Sequence, residues 1–234
     1  MKKVIKICLI TILSLLLLIG VGFYGWAQFY YDATEEALSL VNKKDENYFV
    51  FGDQFAKTGI IFYQGAKVEA QAYSYIGDEL AQEGYFVVIP QMPLNLALFG
   101  INEARHIMNQ YNEIENWYVG GHSMGGAMVS RFAYQNDELV SGVIFLASYP
   151  ADDFSDTAMP MLSIYGELDG LATVEKMAEK QELLSEHATL AMIEGGNHAN
   201  FGMYGPQKGD NDALITQEEQ RERTIQTITQ WLNE

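Results

Sequence analysis

The chain reads as an α/β protein, a mostly parallel sheet with helices on both faces, preceded by one N-terminal transmembrane helix. Three observations predict this. Short apolar runs rich in β-branched and aromatic residues alternate with segments of helical spacing, the pattern of strands buried on both sides. The first stretch of the chain carries an uncharged run at residues 7–31. The rest of the 234 residues holds only five prolines and no Ser/Gly-rich linker or repeat, which argues for a single domain beyond the leader.

The leader comes first. Lys2, Lys3 and Lys6 precede the uncharged run, and Asp32, Glu35 and Glu36 follow it. Twenty-five residues at about 1.5 Å each exceed a hydrocarbon core of about 30 Å. Tyr24, Trp26, Tyr30 and Tyr31 stand where rings favour the interface. The positive-inside bias places the N-terminus in the cytoplasm and the body outside, single-pass, at the cell membrane. The competing possibility is a signal peptide cut at Gly25-Trp26-Ala27, which would release a secreted body; the apolar run exceeds the roughly 7–15 residues of a signal core. Cys8 lies inside the run as a small apolar residue. Residues 1–34 are thus expected to be anchor and juxtamembrane stretch, and residues 35–234 the body.

In order along the body, the patterns predict a short polar helix over 34–45, then strands over 47–51 and 59–63. A helix over 69–82 stops at Gly84, and a strand over 85–89 is closed by Pro90. Then follow a helix over 102–111, a strand over 117–119, a helix over 127–135, and strands over 142–147 and 161–165. A helix over 174–184, a strand over 189–193 and a helix over 216–232 complete the chain. Ligands of such sheets bind beyond the carboxyl ends of the strands, so functional residues should follow strands directly.

Charge and cysteine content exclude whole classes. The chain has 14 basic and 31 acidic residues, and three of the basic residues belong to the leader. A body this acidic repels phosphate backbones, so nucleic acid is not an expected partner. Cys8 is the single cysteine, which excludes an internal disulfide and any cysteine nucleophile in the body. No metal or cofactor is implied; the pairs Asp152/Asp153 and Asp210/Asp212 read as solvated loop charge rather than a calcium site.

Gly121-His122-Ser123-Met124-Gly125 fits G-x-S-x-G between a predicted strand and a predicted helix. That context is the strained turn that projects a nucleophilic serine, with small neighbours so that strand and helix can approach. The helix N-terminus aims the Met124 N–H at a developing oxyanion. Ser123 needs a base, and the base an orienting acid. Of four histidines, His106 lies within a helix, His122 reads as packing, and His187 ends a helix. His198 follows strand 189–193 in a glycine-rich loop and is the expected base. Asp169 follows strand 161–165 and is the expected acid, with Glu167, Asp152 and Asp153 in reserve. The order Ser123, Asp169, His198 fits this architecture. A second oxyanion donor should come from Gln64-Gly65-Ala66-Lys67, and the Ala66 N–H is preferred.

These features resemble the α/β-hydrolase superfamily over nearly all of residues 47–234. YFVVIPQMPLNLA (85–97), residues 120–126 and 165–170, and GGNHANFGMYGPQ (195–207) resemble its compact subgroup related to dienelactone hydrolases, the fold-5 type. Two departures stand out. Dienelactone hydrolases use a cysteine nucleophile where this chain has Ser123, and many relatives carry His-Gly where it has Gln64-Gly65. The resemblance implies a serine hydrolase acting on carboxylic esters or related acyl bonds, with no cofactor and a small ester-type substrate. Acyl transfer, thioester or peptide cleavage on the same triad, or a non-catalytic binding role, are the alternatives. The short stretch between strands 142–147 and 161–165 leaves no room for a large cap. The site is therefore expected to be open, with Met92, Leu94, Leu96, Leu98, Phe99, Phe201, Met203 and Tyr204 as candidates for an acyl pocket.

Overall fold

A computed structural model describes residues 2–41, 43–45 and 47–234. They divide into two compact units, Met1–Tyr30 and Tyr31–Glu234. The first unit is helix α1 (Lys2–Ala27), apolar and solvent-exposed along nearly all its length. Its 26 residues span about 39 Å, long enough to cross a membrane. A signal sequence meets the same criterion.

In the second unit, helix α2 (Glu35–Ser39) is capped by Thr34, whose hydroxyl accepts the Ala37 N–H at 3.2 Å. It is shorter than the helix expected over 34–45. Strand β1 (Lys44–Asp45) instead pairs antiparallel with β2 (Tyr48–Phe51), so ladder bonds take that end of the segment. Asn42, within the expected helix, lies outside the described residues. Next come β3 (Thr58–Tyr63), α3 (Ser74–Gln82), β4 (Phe86–Pro90), α4 (Glu103–Gln110) and β5 (Asn116–His122). They are followed by α5 (Met124–Gln135), β6 (Gly142–Leu146), β7 (Met161–Gly166), α6 (Val174–Lys180), β8 (Ala188–Ile193) and α7 (Gln217–Leu232).

Among the described residues, eight strands form one sheet in the order β1-β2-β4-β3-β5-β6-β7-β8. The β1–β2 and β2–β4 pairs are antiparallel, and every pair from β4 to β8 is parallel. The expected fold class is what the chain adopts. Alternation along the strands splits the core in two. Ile60, Phe62, Ile144 and Leu146 pack on one face with Ile76 and Leu80 of α3 and Ile228 of α7. Ile61, Tyr63, Val143 and Phe145 pack on the other with Ile107 of α4 and Val129 and Phe132 of α5. Each such buried side chain stabilises the fold by about 1.5–3 kcal/mol, which is why a one-residue register slip is not tolerated. Residues 147–160, between β6 and β7, contain no helix or strand, so no cap covers the strand ends there.

Candidate active site

β5 lies between β3 and β6 in the middle of the sheet and ends at His122. Ser123 follows at φ 52°, ψ −122°, a left-handed conformation that costs a non-glycine residue about 1–3 kcal/mol. Its N–H donates to the Leu146 carbonyl at 3.0 Å, and its carbonyl accepts the Ser148 hydroxyl at 2.6 Å. Helix α5 starts at the next residue. The turn closes so tightly that a Cβ on Gly121 would stand 2.4 Å from the Gly125 carbonyl carbon. One on Gly125 would stand 2.3 Å from the Tyr63 carbonyl oxygen. Both glycines of the motif are therefore steric requirements of the turn.

Asp169 follows β7 and is 2% exposed. Its Oδ1 accepts the N–H groups of Leu171 and Ala172 at 2.8 and 2.7 Å. Its Oδ2 lies 2.8 Å from Nδ1 of His198, which follows β8 and is 1% exposed. A carboxylate accepts only, so Nδ1 donates to it and Nε2 is the ring nitrogen left over. That Nε2 is buried and has no hydrogen-bond partner among the described residues, Ser123 Oγ included. Ser123 and His198 nevertheless line one cavity of about 150 Å³, with Met124, Ala127, Tyr149 and Leu171. Catalytic hydrogen bonds are often open in unliganded sites and tighten on substrate. Clefts of about 570 and 530 Å³ exist elsewhere and contain none of Ser123, Asp169 or His198, so size does not select the site.

The loop after β3 approaches the same turn. Gly65 N–H donates to the Tyr73 hydroxyl at 3.1 Å, Lys67 N–H to the Asn95 carbonyl at 2.7 Å, and Val68 N–H to the Gly65 carbonyl at 3.3 Å. The Ala66 N–H is left without a partner among the described residues. Gln64 is fully buried; its Oε1 accepts the Met92 N–H and its Nε2 donates to Asn95 Oδ1. It stitches this loop to the one after β4. The Met124 N–H, first in α5, has no intrahelical acceptor.

His122, read as packing, is buried with its ring centroid 4.5 Å from that of His198, and its Nδ1 lies 2.8 Å from the Tyr73 hydroxyl. Burial first, then the nearby His198, holds His122 well below the usual histidine range, so it is neutral. Burial pushes the Tyr73 hydroxyl far up, so it keeps its proton, accepts from Gly65 and donates to His122. His106 and His187 are exposed, the latter beside Glu186. Glu167 accepts the Gly195 N–H at 2.9 Å, and Asp152 pairs with Arg131 at 3.1 Å. Asp153 accepts the Ser155 N–H.

Of the acyl-pocket candidates, Met92, Leu96, Phe201, Met203 and Tyr204 are buried in the core, and Leu94, Leu98 and Phe99 do not line the cavity beside Ser123. Apolar composition alone does not distinguish a packed loop from a pocket wall. Tyr149 and Leu171, which do line it, carried no signal beyond their places after β6 and β7.

Residues 59–222 match the model of the alpha/beta hydrolase family. The chain belongs to the alpha/beta hydrolase family. Solved structures of similar fold include an alpha/beta hydrolase enzyme from the metagenome of lagoon sediments at Mar Chica, Morocco. It is 17% identical, covers 82% of this chain and 97% of its own, and superposes with a TM-score of 0.62. A thermophilic esterase from Thermogutta terrifontis is 13% identical over 80% of this hydrolase and 92% of its own chain, with a TM-score of 0.61. The monoacylglycerol lipase of Paleococcus ferrophilus is 14% identical over 79% and 98%, with a TM-score of 0.60. No curated protein sequence matches this alpha/beta hydrolase significantly.

Proposed function

We propose that this alpha/beta hydrolase is a serine esterase in which Ser123 is the nucleophile, His198 the base and Asp169 the orienting acid. The observation that carries this is the buried 2.8 Å pair of His198 and Asp169, whose free Nε2 belongs to a residue lining one cavity with a strained Ser123. In the reaction Ser123 Oγ bonds to the ester carbonyl carbon as its proton passes to His198 Nε2. The carbonyl electrons become an oxyanion between the N–H groups of Met124 and Ala66. His198 returns the proton to the departing alcohol, leaving a serine-bound acyl group. Water then gives its proton to His198 and attacks the acyl carbon; the acyl C–Oγ bond breaks, His198 returns the proton to Ser123 Oγ, and the acid leaves.

The similar folds of an esterase and a lipase support ester substrates. The motifs around Ser123 and His198 and the capless stretch at 147–160 support the compact subgroup. We read residues 1–34 as an uncleaved anchor with juxtamembrane stretch and residues 35–234 as the hydrolase body, held outside the cell membrane. The experiment is turnover of activated esters by the wild-type chain and by Ser123→Ala. The wild type should turn over, and the variant should lose at least about 10³-fold in kcat. Equal rates would remove Ser123 from the chemistry.

A further inference from the structure

The acid and the base of this site sit on two different loops, and something must set one against the other. Asp210 lies on a third loop, between Ala199–Phe201 and α7, and its side chain is half-buried. Its Oδ1 accepts the Gly170 N–H at 3.0 Å and the His198 N–H at 3.3 Å. It also accepts the Asn211 N–H at 2.9 Å, while Oδ2 accepts the Ala199 N–H at 2.8 Å. Gly170 is the residue after Asp169. A single carboxylate thus grips the peptide beside the acid and the two peptides flanking the base.

Neighbouring contacts close the same clasp. Asn211 Nδ2 donates to the Leu168 carbonyl at 3.0 Å, and Asn197 Nδ2 donates to the Asn211 carbonyl at 2.8 Å. Buried Gln220 holds Asn197 from behind, its Oε1 accepting the Asn197 N–H and its Nε2 donating to the Asn197 carbonyl. A Cβ on Gly170 would stand 2.7 Å from the Gly209 carbonyl oxygen, so the acid loop and the Asp210 loop are in direct backbone contact.

We propose that Asp210 is a positioning residue, and that its carboxylate sets the Asp169 loop against the His198 loop so that the imidazole meets its acid in one orientation. Charge-assisted N–H bonds are short and directional, which suits them to fix two loops that share no secondary structure. The inference rests on Asp169 and His198 acting as acid and base. A misplacement on the order of 1 Å at such a pair is enough to cost about 10²-fold in rate.

The test uses the full chain in detergent, as wild type, Asp210→Asn and Asp212→Asn. Asp212 is exposed two residues along the same loop and serves as control. Asp210→Asn replaces one acceptor oxygen with an NH₂ facing the N–H groups. Its kcat on a soluble activated ester should fall about 10–100-fold with KM within about twofold. The downfield proton resonance of the imidazole N–H shared with Asp169 should broaden or vanish. Asp212→Asn should match wild type in both readouts. An Asp210→Asn protein with wild-type kcat and an intact resonance overturns the proposal. Should that variant fail to fold, hydrogen exchange on the wild type decides. The amides of Gly170, His198 and Ala199 should be protected, and exchange at unprotected rates overturns the assignment. Labelling or turnover that survives Ser123→Ala would instead sink the triad itself, a distinct outcome.

Discussion

Nδ1 of His198 lies 2.8 Å from Oδ2 of Asp169, and both side chains are all but sealed from solvent. The other carboxylate oxygen accepts two backbone N–H groups, so the carboxylate is held from both sides. Asp169→Asn keeps the shape but reverses the donor pattern, leaving the imidazole in the wrong tautomer. The expected loss in kcat is of the order of 10⁴-fold. Steady-state kinetics on an activated ester would show it; a loss under about tenfold would remove Asp169 from the acid's role.

The cavity beside Ser123 is about 150 Å³, room for about six heavy atoms. Esters of short acyl chains should therefore be turned over best. Past about six carbons, kcat/KM should fall at least about tenfold, the scale set by one ill-fitting methylene. Leu171→Ala should move that limit upwards, since Leu171 lines the cavity and is 42% exposed. A chain-length series with no maximum, or one unmoved by Leu171→Ala, would show that the acyl group lies elsewhere.

His122 is buried against Tyr73 and His198, and its pKa is depressed in the fold. Unfolded, it binds a proton below about pH 6.5; folded, it does not. Stability from this group is thus complete above about pH 6.5 and declines as pH falls towards its folded value. The slope is at most about 1.4 kcal/mol per pH unit. Urea midpoints at pH 8 and pH 5 should differ more for wild type than for His122→Gln. Equal differences would mean that His122 is not the group that titrates.

Gly121 and Gly125 have no room for a methyl group. Alanine at either should cost about 1–3 kcal/mol of stability through overpacking, and should lower activity by shifting the Ser123 turn. Denaturant unfolding checks the first effect and ester turnover the second.

An uncleaved anchor over residues 1–34, as proposed, has its own consequence. The mature chain should stay with the membrane through an alkaline wash and keep its N-terminal lysines. Recovery of a soluble form beginning at Gln28 would establish cleavage after Ala27 instead.

What was legible in the sequence was local. The Gly121–Gly125 turn, the strand before it and the loops carrying Asp169 and His198 announce themselves through glycines and apolar runs. Contacts made across the fold left no such mark. Asp210 reads as a solvated loop acid until the fold brings Gly170 and Ala199 to it. The Tyr73–His122 pair spans 49 residues, and nothing at either end signals the other. Met92 and Phe201 are as apolar as any ligand-facing residue, so composition does not show that they pack in the core. β1 replaced the end of a helix because pairing with Tyr48 and Phe49 lies outside any helical pattern.

The most direct test of the central claim is covalent labelling by a fluorophosphonate followed by peptide mass spectrometry. A single adduct on Ser123, absent from Ser123→Ala and slowed in His198→Ala, is the result required by a strained serine beside a buried imidazole. Labelling at another residue, or equal labelling of all three proteins, would contradict it.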